Sequence, residues 1–265
     1  MRTDPVGSST GSLGWRPVLV LLPPSETKAP GGDGPPLDLA ALRAPELTPV
    51  RARLTEALVS LAGDLPASRA ALGLSPRQDD EIARNAALLT AGTRPALQRY
   101  TGVLYDALDV GSLTRAQRSR ADRRLAVGSA LFGLVGAADG IPAYRLSAGS
   151  ALPGLPTLRA LWRPALQPVL TQVDELVVDL RSGSYAALAP APGAVTVSVL
   201  SRRPDGSRSV VSHFNKAHKG RLARLLATTT AEPGDVGALR RLLRRAGLHV
   251  EHDGGTALEL VVPAG

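Results

Sequence analysis

Pro17-Val-Leu-Val-Leu-Leu-Pro-Pro-Ser-Glu-Thr-Lys28 is an apolar run cut off by a proline pair. The stretch Val18 to Leu22 has the length and unbroken apolar character of a buried β-strand. It is too short for the ~7–15-residue core of a secretory signal. Past it, Pro23 and Pro24, then Gly31, Gly32, Asp33, Gly34, Pro35 and Pro36, bar regular structure. Lys28 therefore sits in a loop just beyond a strand end, where open α/β sheets bind ligands. Upstream, residues 1–16 are polar and Gly/Ser-rich and read as a disordered tail.

Working downstream, Leu54, Leu58 and Leu61 share one face of a helix from about Pro49 to Leu61. Ser75-Pro76 is an N-cap with proline at the first helical position. That helix runs through Ile82 and Ala86 to Leu89, Gly92 breaks it, and a second spans about Arg94 to Leu108. Residues 76–108 thus form a helix-hairpin-helix-like element. A basic helix over 114–124 precedes a strand from Leu125 to Leu134 that enters a Gly-rich turn. Residues 137–154 are irregular. Residues 157–173 are helical, with a kink or break expected at Pro164 and Pro168. A strand over 176–180 follows, then a hairpin of 195–200 and 207–214 around Arg203-Pro-Asp-Gly206. Helices over 216–228 and 235–246 lead to a last hairpin across Asp253, Gly254 and Gly255. The whole reads as α/β or α+β. A mixed central sheet would carry a helical insertion around 40–108, in one domain from residue 17 to 265.

The 265 residues contain no cysteine, which excludes disulfides, thiolate metal sites and a cysteine nucleophile. No run of ~18 apolar residues could cross a membrane. The net charge of +8 points to an anionic partner, either nucleic acid or a phosphorylated metabolite. An Arg-, Ala-, Gly- and Pro-rich composition gives the same charge with no partner at all.

Three segments together resemble the YaaA family of bacterial peroxide-stress proteins. The first is Leu21-Leu-Pro-Pro-Ser-Glu-Thr-Lys28. The second joins Tyr100-Thr-Gly-Val-Leu-Tyr105, Ser129-Ala-Leu-Phe-Gly-Leu134, Asp139-Gly-Ile-Pro-Ala-Tyr-Arg145 and Leu161-Trp162. The third is Asn215-Lys-Ala-His-Lys-Gly-Arg221. Val178-Asp-Leu-Arg-Ser182 with Tyr185 resembles a further segment, from which Asp179 and Arg181 depart. The resemblance covers roughly residues 17–262. It implies a cytosolic protein that protects against peroxide, lowers free iron and binds DNA through a helix-hairpin-helix element and a positively charged cleft.

The residues suggest where such a cleft would lie. On a 216–228 helix, Lys216, Lys219 and Arg224 share a face beside Gly220, with leucines opposite. A basic helix start with free N–H groups suits an anion, and Gly220 lets a phosphate or another backbone come close. Lys28, Arg145 and Arg221 would extend the grip on phosphate, and Tyr144 could stack on a base. Each has a plainer alternative: a solvated face, a loop lysine, or an arginine that ties down loop carbonyls. Asp79, Asp80 and Glu81 would repel phosphate from the helix-hairpin-helix-like element despite Arg84, Arg94 and Arg99. Tyr100 and Tyr105 read as core or cleft wall. The clusters Arg115–Arg124 and Arg240–Arg245 fit solvated faces. With aromatics at 3% there is no extended stacking platform, so distorted or branched duplex is the expected DNA. An enzyme on a nucleotide-like or phosphorylated molecule is the alternative, with Lys28 or Tyr144 as acid or base. The histidines, His213, His218, His249 and His252, have no ligand spacing, and Ser129 has no nucleophile elbow, so no metal or cofactor is expected.

Overall fold

Val18–Leu22 (β1) is completely buried at every position and forms the middle of the sheet. In this computed structural model the described residues are 18–202, 208–210, 215–252 and 254–263. The expected tail, the Arg203–Gly206 turn, Asp253 and His213 lie outside them. Leu125–Ser129 (β3) pairs with β1 in parallel on one side, Val20 opposite Leu125. Leu176–Asp179 (β6) pairs in parallel on the other, Val20 opposite Val178. Strand order therefore reverses at β1, the position where such sheets open a crevice beyond their carboxyl ends. Val195–Arg202 (β7) and Ala257–Pro263 (β10) continue the parallel sheet beyond β6. Gly133–Gly136 (β4) and Val250–His252 (β9) close the two edges antiparallel, and Arg208–Val210 (β8) pairs with β7. The sheet is mixed, as the sequence suggests.

The insertion after β1 is helical: Thr48–Leu61 (α1), Leu65–Leu72 (α2) and Asp79–Ala86 (α3). Ser75 and Gln78 form a capping box before α3, confirming the helix start expected there. The single second helix over 94–108 is not found. Arg94–Pro95 (β2) instead pairs with Gly140–Ile141 (β5), followed by Ala96–Arg99 (α4) and Val103–Leu108 (α5). Gly102 at φ +96° separates the two short helices, a backbone state that ends any helix and favours glycine. The second arm of the helix-hairpin-helix-like element is thus in pieces.

Arg115–Arg124 (α6) leads into β3, and the expected strand to Leu134 is really the hairpin β3–β4. Leu158–Thr171 (α7) runs unbroken through Pro164 and Pro168. Pro164, Pro168 and Ala160 are all exposed. The carbonyls that the two prolines leave without an N–H partner lie at Ala160 and Pro164, on this solvent side. Gly183–Ala186 (α8) follows β6. Asn215–Thr228 (α9) and Val236–Arg245 (α10) match the two C-terminal helices read from sequence. None of the described helices is long and apolar enough to cross a membrane.

Candidate functional site

The carboxyl ends of β1, β3 and β6 deliver Lys28, Ser129 and Asp179 to one end of the sheet. Lys28 is only 8% exposed, and its backbone bridges to Tyr100. Its Nζ donates to the carbonyls of Ser25 (3.1 Å) and Glu26 (3.4 Å). The same nitrogen lies 4.3 Å from the Tyr144 ring centroid and 5.6 Å from that of Tyr100. Burial pushes its pKa down to about 8, against the opposing pull of Glu26 and Glu81.

The hydroxyls of Tyr100 and Tyr144 are 2.8 Å apart, and Tyr144 is 2.7 Å from Ser129 Oγ. Ser129 Oγ accepts from Phe132 N at 3.0 Å. Three hydroxyls share two bonds, so the chain can run in either direction and always leaves one hydrogen over. Tyr105 stacks on Tyr100 at 5.5 Å and donates to Pro23 O. Tyr185, on α8, is buried with them within the field of Glu26, Tyr100 and Arg145. These are all four tyrosines of the chain. Burial raises every one of their pKa values, Tyr100 up to about 12.

These shifts fix a pH dependence. Lys28 is lowered on folding from 10.5 to about 8, so between those values the unfolded chain holds more protons and stability rises with pH. The tyrosines are raised, so their contribution is complete below pH 10 and is lost as pH climbs toward 12. Melting temperature should rise from pH 8 to 10 and fall above it, with phenolate absorbance appearing only as the protein unfolds. Lys28→Met should shrink the rise to the part that Lys219, also lowered by burial, contributes, and leave the fall. A flat profile between pH 8 and 10 in the unmodified chain would contradict the burial of the amine.

Beyond β6, Arg181 forks onto Asp179 at 2.9 and 2.7 Å, with side chains 1% and 8% exposed. Gly128 makes room for it, since a Cβ there would lie 3.0 Å from Arg181 Cδ. The two departures from the family pattern are therefore partners of each other. Sequence reasoning left them without a role, although an Asp-x-Arg at the end of a buried strand was a usable signal. Lys219 on α9 donates to Leu180 O at 3.1 Å, and burial lowers its pKa against the pull of Asp179.

Of the residues singled out from sequence, Lys28, Tyr144 and Arg145 come together. Arg145 pairs with Glu26 at 3.1 Å, and its backbone N–H and carbonyl are held by Asn85. Gly220 is buried against the Leu104 carbonyl, so the close approach it permits is that of another backbone. Arg224 turns away to Leu108 O (2.8 Å), Asp109 O (2.6 Å) and Ser112 Oγ (2.7 Å). Lys216 and Arg221 are exposed. In the α6 cluster, Arg120 and Arg124 donate to Thr228, Leu226, Thr229 and Ala231 carbonyls where α9 ends, and Arg118 pairs with Asp122. In the α10 cluster, Arg244 donates to Val250 O, while Arg241 and Arg245 are exposed. Arg84, beside the Gly92 turn, is paired with Glu81 and Asp80. Among the described residues no group of three or more His, Asp or Glu could hold a metal ion.

Residues 18–253 match the family model described as peroxide stress protein YaaA. A UPF0246 protein of Corynebacterium efficiens is 51% identical over 92% of this chain and 100% of its own length. One of Streptomyces coelicolor is 49% identical over 88% of this chain and 92% of its own. A more distant relative from Limosilactobacillus fermentum is 35% identical over 68% of this chain and 77% of its own.

Proposed function

The chain belongs to the peroxide stress protein YaaA family, and we propose that it serves the peroxide response in the cytosol by binding DNA through its phosphate backbone. The surface where α9 begins carries the contact. The observation behind this is a division of labour along one helix. Lys219 and Arg224 anchor α9 to Leu180 and to the end of α5, while Lys216 and Arg221 stay exposed on the anchored scaffold. Cations held on a fixed helix start, in a chain of net charge +8, suit a polyanion gripped without base readout. Distorted or branched duplex is the preferred form, since the tyrosines that could stack on unpaired bases are buried.

The test is fluorescence anisotropy with a labelled duplex and a labelled four-way junction over a salt series. Affinity should fall steeply with salt. Lys216→Ala with Arg221→Ala should flatten the slope of log affinity against log salt by about 2. Lys219 is kept intact because it ties Leu180. An unchanged slope removes the α9 surface from the interface, and no binding at low salt ends the DNA reading.

A second reading is an enzyme acting on a nucleotide-like or phosphorylated small molecule. The burial of Lys28 between Tyr100 and Tyr144 favours it, because duplex DNA has no way to reach an amine that is 8% exposed. A thermal shift with mononucleotides but not with DNA would select it.

A further inference from the structure

Only three of the 31 basic residues are lysines: Lys28, Lys216 and Lys219. Apart from Lys219, which ties Leu180 O, the fold elsewhere uses arginine where buried carbonyls are tied together. Arg51 holds those of Phe132, Arg43 and Leu134, and Arg124 holds those of Leu226, Thr229 and Ala231. Lys28 also meets two carbonyls in a buried place, but with a group that can lose its proton, which arginine cannot. A neutral amine has two hydrogens, enough for Ser25 O and Glu26 O, and a lone pair to spare.

The amine is covered by one residue acting twice. The Glu26 carbonyl accepts from Lys28, and the Glu26 carboxylate, half-exposed, sits on Arg145. An anionic group that takes Arg145 displaces that carboxylate and frees the residue whose carbonyl holds the amine. We propose that Lys28 is the amine of a covalent site for a small aldehyde or ketone carrying a phosphate or carboxylate, with Arg145 holding the anion and Glu26 standing in for it until it arrives. The lone pair of Nζ forms a C–N bond with the carbonyl carbon, and the carbonyl oxygen takes up a proton. Nitrogen gives up one proton to reach the carbinolamine. Its hydroxyl then takes up a second proton and leaves as water while nitrogen gives up its other proton, so amine and carbonyl become imine and water with no change of oxidation state. The hydroxyl chain of Tyr100, Tyr144 and Ser129, whose two rings flank the amine, carries the proton. The site is independent of DNA binding at α9.

The intact protein is incubated at pH 8 with cyanoborohydride and either glyoxylate, pyridoxal 5′-phosphate or uncharged butanal, and the adducts are mapped by peptide mass. Lys28 should be labelled by both anionic carbonyls at least about tenfold faster than by butanal, the worth of one charge-assisted contact. It should also outpace exposed Lys216. Glu26→Gln should speed labelling of Lys28, and Lys28→Arg should abolish it while the melting curve shows a folded protein. Preference for one anionic carbonyl over the other identifies the natural anion. Labelling of Lys216 with Lys28 untouched, or butanal as effective as the anionic reagents, overturns the proposal. Indifference to Glu26→Gln overturns the role given to Glu26.

Discussion

Gly220→Val is expected to destabilise the protein by at least about 3 kcal/mol, the upper part of the range for overpacking a closed core. Gly220 lies in the middle of α9 where that helix crosses α5. A Cβ there would collide with the carbonyl oxygen of Leu104 and lie 2.8 Å from the Ala107 Cβ. The main obstacle is backbone, so no rotamer change relieves it, and the two helices must separate. Separation also strains the Arg224 bonds to Leu108 and Asp109 and the Lys219 bond to Leu180, all measured from the same helix. For a domain of this size the melting temperature should fall by roughly 6–12 °C. Urea unfolding followed by circular dichroism checks it. A variant as stable as the parent would mean that α5 and α9 do not cross this closely. DNA affinity measured on the same variant, below its melting point, separates a packing glycine from one needed by phosphate.

The fold was legible where local sequence and tertiary burial demand the same thing. Val18 to Leu22 is buried on both faces, and an unbroken apolar run is what such a strand requires. Ser75 and Thr114 are local caps, and their capping boxes with Gln78 and Gln117 involve residues three apart. The readings failed where a distant segment decides. Leu97, Leu104 and Leu108 keep a helical spacing across residues 94–108, but the pairing of Arg94 with Ile141 draws the first residues into a strand. The family motif names Lys28, Tyr144 and Arg145, and in the fold the Lys28 amine lies over the Tyr144 ring. It could not reveal that the Tyr144 hydroxyl bonds to Tyr100, 44 residues away, or to Ser129, which lacks any nucleophile-elbow pattern. The charge clusters misled for a related reason: arginines that look like a surface patch in sequence, such as Arg120 and Arg124, spend their donors on the carbonyls where α9 ends.

Arg99 makes the same point inside the candidate site, and its replacement is expected to have the other large effect. It is completely buried, and among the described residues its hydrogen bonds go to carbonyls. Its Nε donates to Ile141 O at 3.0 Å and one terminal nitrogen to Gly92 O at 3.2 Å, while the other terminal nitrogen donates to Ala29 O. One planar fork therefore joins the loop after Lys28, the Gly92 turn and the β5 strand that leads to Tyr144. Arg99→Met keeps the stem but leaves three carbonyls without their donor, each worth about 1–3 kcal/mol if it stays buried and unpaired. Removing the charge returns part of its desolvation cost, which already lowers the guanidinium pKa to about 10. The net loss should be about 3–5 kcal/mol, as for breaking other buried charged networks. Arg99→Lys should recover only part of this, since a single ammonium lacks the fixed fork that reaches three directions at once. Because Ala29 follows Lys28 directly, both variants should also blunt the selective labelling of Lys28 below their melting points. Full stability in Arg99→Met would mean that these loops hold their places without it, and the rigidity around Lys28 would then have to come from the tyrosine chain alone.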